Sequence, residues 1–152
     1  MALRNIVKFG DDILRKKCRE VTVFDDKLWV LLDDMYETMQ SANGVGLAAP
    51  QVGILRRVCV IDVGDGPIEL INPVITSMRG KQRAVEGCLS APGEWCEVER
   101  PAMVTVRAFD RHGKEFTLSA SELMARAVCH EVDHLDGILF TDRVKKTLPK
   151  KA

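Results

Sequence analysis

The sequence has no excess of charge of either sign. Its 152 residues carry 22 lysine and arginine side chains against 22 aspartate and glutamate side chains, so the formal net charge at pH 7 is zero. Proteins that bind nucleic acids through bulk electrostatics have a marked excess of basic residues. We therefore expect no direct binding to DNA, and the balance favours a small or peptide-like ligand.

Long hydrophobic runs are also missing. No stretch approaches the roughly 18 consecutive apolar residues of a membrane-spanning helix. The segment 1–12 contains no apolar core of the kind found in signal peptides. We therefore expect a cytoplasmic protein that does not associate with membranes.

The cysteines show no pairing pattern. They are five in number, Cys18, Cys59, Cys88, Cys96 and Cys129, and no two form a C-x-x-C pair. An odd number without such pairs argues against a disulfide framework and favours reduced thiols. A cysteine with a function would then act as a metal ligand or a nucleophile.

The length of the chain fits one domain, since domains commonly have ~100 to 150 residues. We predict that residues 1–144 form this domain. Residues 145–152 are basic and contain a proline, so we expect a flexible tail there.

Two stretches in the first third of the chain predict helices. Residues 11–18 begin with acidic and end with basic side chains, which suits the helix dipole. A longer helix is predicted from Asp25 or Asp26 to a stop at Asn43-Gly44. Its apolar residues recur at spacings of three and four, and we assign them to the core: Leu28, Leu31, Leu32, Met35 and Met39. The small residues that follow, 44–53, predict an irregular loop.

Strand-forming residues dominate the middle of the chain. Pro73 cannot donate a backbone hydrogen bond, so it favours an edge position for the strand that contains it. A turn at 111–113 predicts a hairpin between the strands on either side of it. The predicted strands are 56–63, 69–76, 96–101, 103–109 and 114–120.

A last helix is predicted near the carboxyl end. Ser119 followed by Glu122 matches a capping box, so the helix should begin near Ala120 and end near Gly137. It carries the sequence HEVDH at 130–134.

This HEVDH sequence predicts a metal site. His130 and His134 are four residues apart, so their imidazoles lie on one face of a helix and can bind one ion. Glu131 is offset by about 100 degrees, close enough to act on bound water without being a ligand. The alternative is a chance pattern of two separate histidines and a surface acid.

A catalytic site of this type has three protein ligands and one open position. Spacing does not decide the third ligand. His112 lies in the predicted hairpin turn, where we expect exposure, Cys129 must point away from its neighbour, and Cys59 lies in a run typical of a buried strand. Cys88 lies among small residues where the backbone can bend, although a purely structural cysteine is the more common case.

Three separated segments together resemble the peptide deformylase family. They are GVGLAAPQ at 44–51, EGCLS at 86–90 and HEVDH at 130–134, in the family's order, and the resemblance extends over nearly the whole chain. It implies an α+β fold in which antiparallel strands pack around a central helix bearing HEVDH. It also implies that 1–144 is a single catalytic domain that removes formate from the N-formylmethionine of nascent polypeptides.

The resemblance also implies roles for single residues. Cys88, His130 and His134 would bind the metal, and Glu131 would be the general base and acid for attack of metal-bound water on the formyl carbonyl. Gln51 and the backbone N–H of Leu89 would stabilise the oxyanion. Substrate would contact Gly44, Val45, Gly46, Leu89, Trp95, Arg126 and Ala127, and the ligands would be oriented by Glu86 and Arg100, with Asp133 joining them.

The family's metal is one divalent ion, so we expect Fe(II) in the cell, with zinc, nickel or cobalt able to replace it. An iron site with a thiolate ligand should be sensitive to oxygen. Cys129 departs from the glutamine that many relatives have before the first metal-binding histidine, which affects only local packing or thiol reactivity. The basic tail could contact the ribosome, although a solvated end is the simpler interpretation.

Two other functions share parts of this pattern. An endopeptidase can carry H-E-x-x-H, but it usually needs a longer substrate cleft and often a further His or Glu ligand downstream. A non-catalytic metal-binding module would have no need of Glu131 and Gln51, and both are present.

Overall fold

The computed structural model describes residues 2–147 as an α+β protein. Within this range lie two α-helices, α1 (Asp26–Ser41) and α2 (Glu122–Leu135). The strands are β1 (Gly46–Ala48), β2 (Val58–Ile61), β3 (Ile68–Arg79), β4 (Gln82–Cys88), β5 (Ala91–Arg100), β6 (Met103–Phe109), β7 (Glu115–Ser121) and β8 (Val144–Thr147).

These strands form two antiparallel sheets. The larger has the order β1-β2-β3-β6-β7 and the smaller the order β4-β5-β8. The inner face of α2 packs on the larger sheet, where Val128 and Leu135 share one hydrophobic cluster with Ile61 and Val106. The predicted fold, antiparallel strands around the helix that bears HEVDH, is confirmed.

The first helix begins and ends where the sequence predicts. The side chain of Asp25 caps it by accepting a hydrogen bond from the Leu28 amide at 3.3 Å. Asn43 follows the helix with a φ of 57°, and the Gly44 amide donates to the Met39 carbonyl at 3.0 Å. The five apolar residues assigned to the core are all buried.

The strand that contains Pro73 is not at an edge, which corrects our prediction. It lies in the middle of the larger sheet, between β2 and β6. Its pairing with β6 shifts register between Ile71 and Val74, so the proline falls in a bulge where no ladder bond is needed. Asn72, with a φ of 52°, uses its side-chain amide to bond both backbone groups of Val21.

The predicted start of the last helix is also wrong. Ser119 and Ala120 pair with Thr105 and Val104 in the β6–β7 hairpin, so strand pairing takes the residues that the capping box would need. The helix begins two residues later at Glu122, which has a φ of 53°. The predicted hairpin around 111–113 is confirmed.

Three further segments differ from the sequence predictions. The segment 44–53 is not an irregular loop, because it contains β1 and a buried 3-10 helix, Ala49–Val52. Of the helix predicted at 11–18, only a 3-10 turn, Asp12–Arg15, is present. Residues 145–147 of the predicted tail belong to β8, and residues 148–152 lie outside the described residues.

No helix between residues 2 and 147 is both long enough and apolar enough to cross a membrane.

Candidate active site

Three potential metal ligands from distant parts of the chain converge in this fold. Cys88 ends β4, while His130 and His134 lie one turn apart on α2. The ligand atoms of the three residues all lie within 4.8 Å of one another, and Sγ of Cys88 is 3.4 Å from Nε2 of His134. His112 is exposed against Trp29 in the hairpin turn, as predicted, and takes no part.

The three residues fit a tetrahedral metal site. Metal–ligand distances of about 2.0–2.3 Å place neighbouring ligands roughly 3.5 Å apart, close to the spacing between Cys88 and His134. Among the described residues this group has three protein ligands, which is the number typical of a catalytic site with one open position. Burial lowers the pKa of His134 well below its usual value, so its imidazole is neutral and able to bind a metal.

Glu86 orients the first histidine. Its Oε1 accepts from Nδ1 of His130 at 3.0 Å and from Nη2 of Arg100 at 2.9 Å, and its Oε2 accepts from Nε of Arg100 at 2.9 Å and from Arg126. Burial alone would raise the pKa of Glu86, but the hydrogen bonds from His130 and Arg100 outweigh it and lower the pKa to about 2. An ionised carboxylate therefore engages Nδ1 of His130 and leaves Nε2 for a metal.

The ion-pair network extends outward from this carboxylate to the surface. Nη1 of Arg100 donates to Oδ2 of Asp133 at 2.7 Å. Arg143 donates two hydrogen bonds to the same aspartate, at 2.6 and 3.0 Å. Sequence reasoning missed Arg143, because it follows the helix at a spacing that matches no motif.

Glu131 is buried beside the three ligands. Its Oε1 is buried and has no hydrogen-bond partner among the described residues, so this acceptor is available to a ligand. Burial raises the pKa of Glu131 to about 7. Gly46 of β1 approaches the carboxylate so closely that a Cβ there would lie 2.5 Å from Oε2 of Glu131.

Gln51 is buried and lies against Cys88. It belongs to the 3-10 helix after β1, and its Oε1 accepts from the Ala48 amide at 3.0 Å. Its Nε2 donates to Oγ of Ser90 at 3.1 Å and lies 3.5 Å from Sγ of Cys88. Leu89, whose N–H the resemblance assigns to the oxyanion, lies between Cys88 and Ser90 in the turn that joins β4 to β5.

A pocket of about 610 Å³ opens beside these groups. It reaches Gln51, Cys88, His130 and Glu131. All seven residues assigned to substrate line it: Gly44, Val45, Gly46, Leu89, Trp95, Arg126 and Ala127. Ile6 and Lys8 of the amino-terminal segment also line it. No motif in the sequence indicates these two residues.

Two glycines, Gly44 and Gly87, allow close packing of side chains that line the pocket. A Cβ at Gly44 would lie 2.6 Å from the Leu89 side chain, and a Cβ at Gly87 would lie 2.6 Å from the Trp95 ring. The strands that bear or adjoin these glycines, β1 and β4, are each the outermost strand of a sheet. Two strand edges therefore flank the pocket with backbone groups available to an extended peptide.

This arrangement defines a class of protein. A thiolate and two imidazoles suit zinc and the neighbouring divalent transition metals, and a buried carboxylate with an unpaired oxygen can move a proton beside them. An α+β fold with this site and an adjoining pocket is a metallohydrolase.

Comparison with known proteins gives the family. The polypeptide deformylase family matches residues 3–150. Peptide deformylase of Caldicellulosiruptor bescii is 61% identical over 95% of this chain and 87% of its own, and peptide deformylase 1 of Clostridium acetobutylicum is 55% identical over 97% and 98%. The crystal structure of the Thermotoga maritima peptide deformylase has a TM-score of 0.93 at 42% identity, covering 94% of this chain and 98% of its own.

The chain belongs to the polypeptide deformylase family. Its activity is the removal of the formyl group from newly made peptides, and the family depends on a metal ion that the Cys88, His130 and His134 site fits.

Proposed function

We propose that Cys88, His130 and His134 hold one divalent metal ion and that Glu131 and Gln51 act beside it on the formyl group of N-formylmethionyl peptides. One observation carries the proposal: three potential metal-binding side chains converge, and two of them, Cys88 and His130, line one pocket together with the buried carboxylate of Glu131. We expect Fe(II) in the cell, although the donor set also suits zinc, nickel or cobalt. When bound, the ion supplies a Lewis acid that polarises the carbonyl and lowers the pKa of water.

Glu131 is the general base and acid in this proposal. Its Oε1 is free to accept the proton of the attacking water, and the same carboxyl returns that proton to the leaving amine. A pKa of about 7 suits both steps, because proton transfer is most effective when the pKa lies near the working pH. The products are formate and a free amino terminus.

Gln51 and Leu89 supply hydrogen bonds to the developing oxyanion. Nε2 of Gln51 lies beside Sγ of Cys88, and the N–H of Leu89 belongs to the next residue in the chain. Both donors are fixed before substrate arrives, one in a buried 3-10 helix and one in a tight turn. Donors held in this way stabilise charge at little cost in reorganisation.

The peptide main chain would lie between the edges of β1 and β4, paired with the segment 44–46 as an added strand. The methionine side chain would fill the apolar part of the pocket, against Leu89, Trp95 and Ala127, with the stem of Arg126 alongside. Methionine is unbranched and flexible, which suits a pocket with walls of differing shape.

Formate release from a formyl-methionyl tripeptide tests the proposal. Anaerobically prepared, iron- or nickel-loaded protein should release formate, and Glu131→Gln should lower kcat by about 10²- to 10⁴-fold. Glu115→Gln, an exposed change on β7, is the matched control and should leave kcat unchanged. A chelator should abolish release.

The endopeptidase alternative makes a different prediction. If the metal-loaded protein cleaved unformylated peptides and released no formate, the proposed reaction would be wrong. Retention of full activity by Glu131→Gln would instead remove Glu131 from the mechanism.

We also propose that the protein acts in the cytoplasm, without DNA or membrane partners, and meets nascent peptides through transient contact with the ribosome. The basic tail, 145–152, is the segment we assign to that contact. Cosedimentation with ribosomes should weaken when residues 148–152 are deleted, and unchanged cosedimentation would exclude the tail.

A further inference from the structure

Ser90 occupies a constrained position next to the site. It is the second residue of the two-residue turn between β4 and β5, in which Cys88 pairs directly with Ala91. Its exposed fraction is 1%, the same as that of Gln51. A buried hydroxyl in such a turn has few conformations available, so its oxygen is a fixed point.

The hydrogen bonds define the orientation of the Gln51 amide. The Ala48 N–H can only donate, so the atom that accepts from it must be the carbonyl oxygen Oε1. The NH₂ group therefore faces Ser90 and Cys88. The NH₂ group donates to Oγ of Ser90 at 3.1 Å and to Sγ of Cys88 at 3.5 Å, so its second N–H lies on the side of the candidate metal ligands.

The backbones of both residues are tied to the same segment. The Val7 amide donates to the Gln51 carbonyl at 2.7 Å, and the Phe9 amide donates to the Ser90 carbonyl at 2.8 Å. Residues 7 and 9 are separated by a single residue, so this segment fixes the distance between the two backbones. The side-chain bond then sets the plane of the amide.

We propose that Ser90 is a positioning residue that holds the Gln51 amide with one N–H aimed at the oxyanion. This inference rests on the proposed role of Gln51 in stabilising that oxyanion. Without the Ser90 hydroxyl, the NH₂ group keeps only its longer contact with Sγ of Cys88, and the amide can turn about its last side-chain bond. The Gln51 N–H would remain in the site but would no longer be held in the direction of the oxyanion.

A double-mutant cycle separates positioning from a structural effect. Ser90→Ala should lower kcat by about tenfold and change KM by less than about twofold, because the lost interaction matters only in the transition state. Gln51→Ala should lower kcat by about 10²- to 10³-fold. In the Gln51→Ala background, adding Ser90→Ala should change kcat by less than about twofold, since Ser90 acts through Gln51.

Thr38→Val provides a matched control. Thr38 has a buried hydroxyl that accepts from the Arg4 amide at 2.9 Å, and it is not among the residues that line the pocket. Its removal should lower the melting temperature to a similar extent as Ser90→Ala while kcat stays unchanged. Metal content and thermal unfolding of each variant show whether the site and the fold remain intact.

The outcomes distinguish the two proposals. A large loss in Gln51→Ala with an unchanged Ser90→Ala would overturn the role of Ser90 alone. Multiplicative losses in the double variant would do the same, because Ser90 would then act independently of Gln51. An unchanged Gln51→Ala would overturn the oxyanion role itself.

Discussion

At the scale of single residues, Arg126 connects the pocket to the candidate metal ligands. It lines the pocket, bonds Glu86 and donates through Nη2 to the Val98 carbonyl at 3.1 Å. Because Glu86 in turn holds His130, the position of that imidazole depends on both guanidinium groups that surround the carboxylate.

We therefore expect Arg126→Met to weaken metal binding by about 10- to 100-fold, as loss of a group that orients a ligand commonly does. Competition with a chelator of known affinity measures the effect. Arg107→Met is the control, because Arg107 is an exposed arginine on β6 paired only with Glu115 among the described residues. Equal metal affinity in Arg126→Met and the parent protein would contradict the prediction.

Gly46 permits the close approach of β1 to the carboxylate of Glu131. Gly46→Ala would place a methyl group 2.5 Å from Oε2 of Glu131, so the buried carboxylate must move. We expect at least a 100-fold loss of kcat and a loss of stability of about 1–3 kcal/mol, typical of overpacking. Steady-state kinetics and denaturant unfolding measure the two effects.

Gly87→Ala is an informative comparison for this prediction. Its new methyl group would meet the Trp95 ring at 2.6 Å, but Trp95 is 38% exposed, whereas Glu131 is buried. The loss of kcat should therefore be smaller than for Gly46→Ala. The reverse order would show that the close approach to Glu131 is not what limits activity.

Residue chemistry could be predicted from sequence where it depends on local spacing. The i, i+4 relation of His130 and His134 is sufficient to place both on one helical face. Only the resemblance to the family distinguishes Cys88 from the other cysteines in the sequence. Ser90 contacts Gln51 because β4 pairs with β5, and Arg143 contacts Asp133 because the chain turns back after α2. Neither contact can be predicted from a local pattern in the sequence.

At the scale of elements, the amino-terminal segment is anchored to the middle of α1. Asp34 accepts from the Ala2 amide at 2.7 Å and from Nε of Arg4 at 3.0 Å. Burial tends to raise the pKa of Asp34, but these bonds and the charge of Arg4 outweigh it and lower the pKa below its usual value. The carboxylate therefore stabilises the folded state above about pH 4, and this stabilisation is lost as the pH falls through the lowered pKa.

We expect Asp34→Asn to lower the free energy of unfolding by about 1 kcal/mol at pH 7, or roughly 2–4 °C in melting temperature. The difference should shrink below pH 4, where the parent carboxyl becomes protonated as well. Thermal unfolding at pH 7 and pH 3 measures it, with the exposed Asp65→Asn as control. A constant difference at both pH values would argue against the ionised carboxylate as its source.

The predictions of helix and strand positions were wrong where one segment of sequence suits two structures. The capping pattern at Ser119 predicts the start of a helix. In the structure Ser119 and Ala120 instead continue the strand pairing between β6 and β7, so the helix begins later. Pro73 indicates a position where the strand makes no backbone hydrogen bond to a neighbour. Such a position occurs at the edge of a sheet, but it also occurs at a bulge in the middle of a sheet, as here. In both cases the outcome depends on partner strands that sequence spacing alone does not reveal.

At the scale of the whole molecule, the thiols fall into two groups. Burial raises the pKa of Cys18 to about 11 and that of Cys59 well above its usual value, so few thiolates form there at neutral pH. Cys96 and Cys129 are also buried, and burial raises the pKa of each thiol. Cys88 is half-buried and lines the pocket.

Iodoacetamide should therefore label one cysteine per chain in the folded, chelator-treated protein at pH 8, and five after denaturation. Peptide mapping should identify the single site as Cys88, and adding metal should protect it. Labelling of Cys129 at a similar rate would contradict the prediction. The same accessibility makes Cys88 the thiol that we expect oxygen to damage in the iron-loaded protein, so activity should last longer under anaerobic conditions.

The site draws its residues from both sheets and from α2, and this dispersal has a consequence for biosynthesis. The chain is made from its amino terminus, so Gln51 and Cys88 leave the ribosome well before the two histidines. β5 finds its partner β8 only when residues 144–147 have followed. Each new molecule therefore lacks two of its three candidate metal ligands until residue 134 has emerged, so a nascent peptide that it deformylates belongs to another ribosome or to a later round of synthesis.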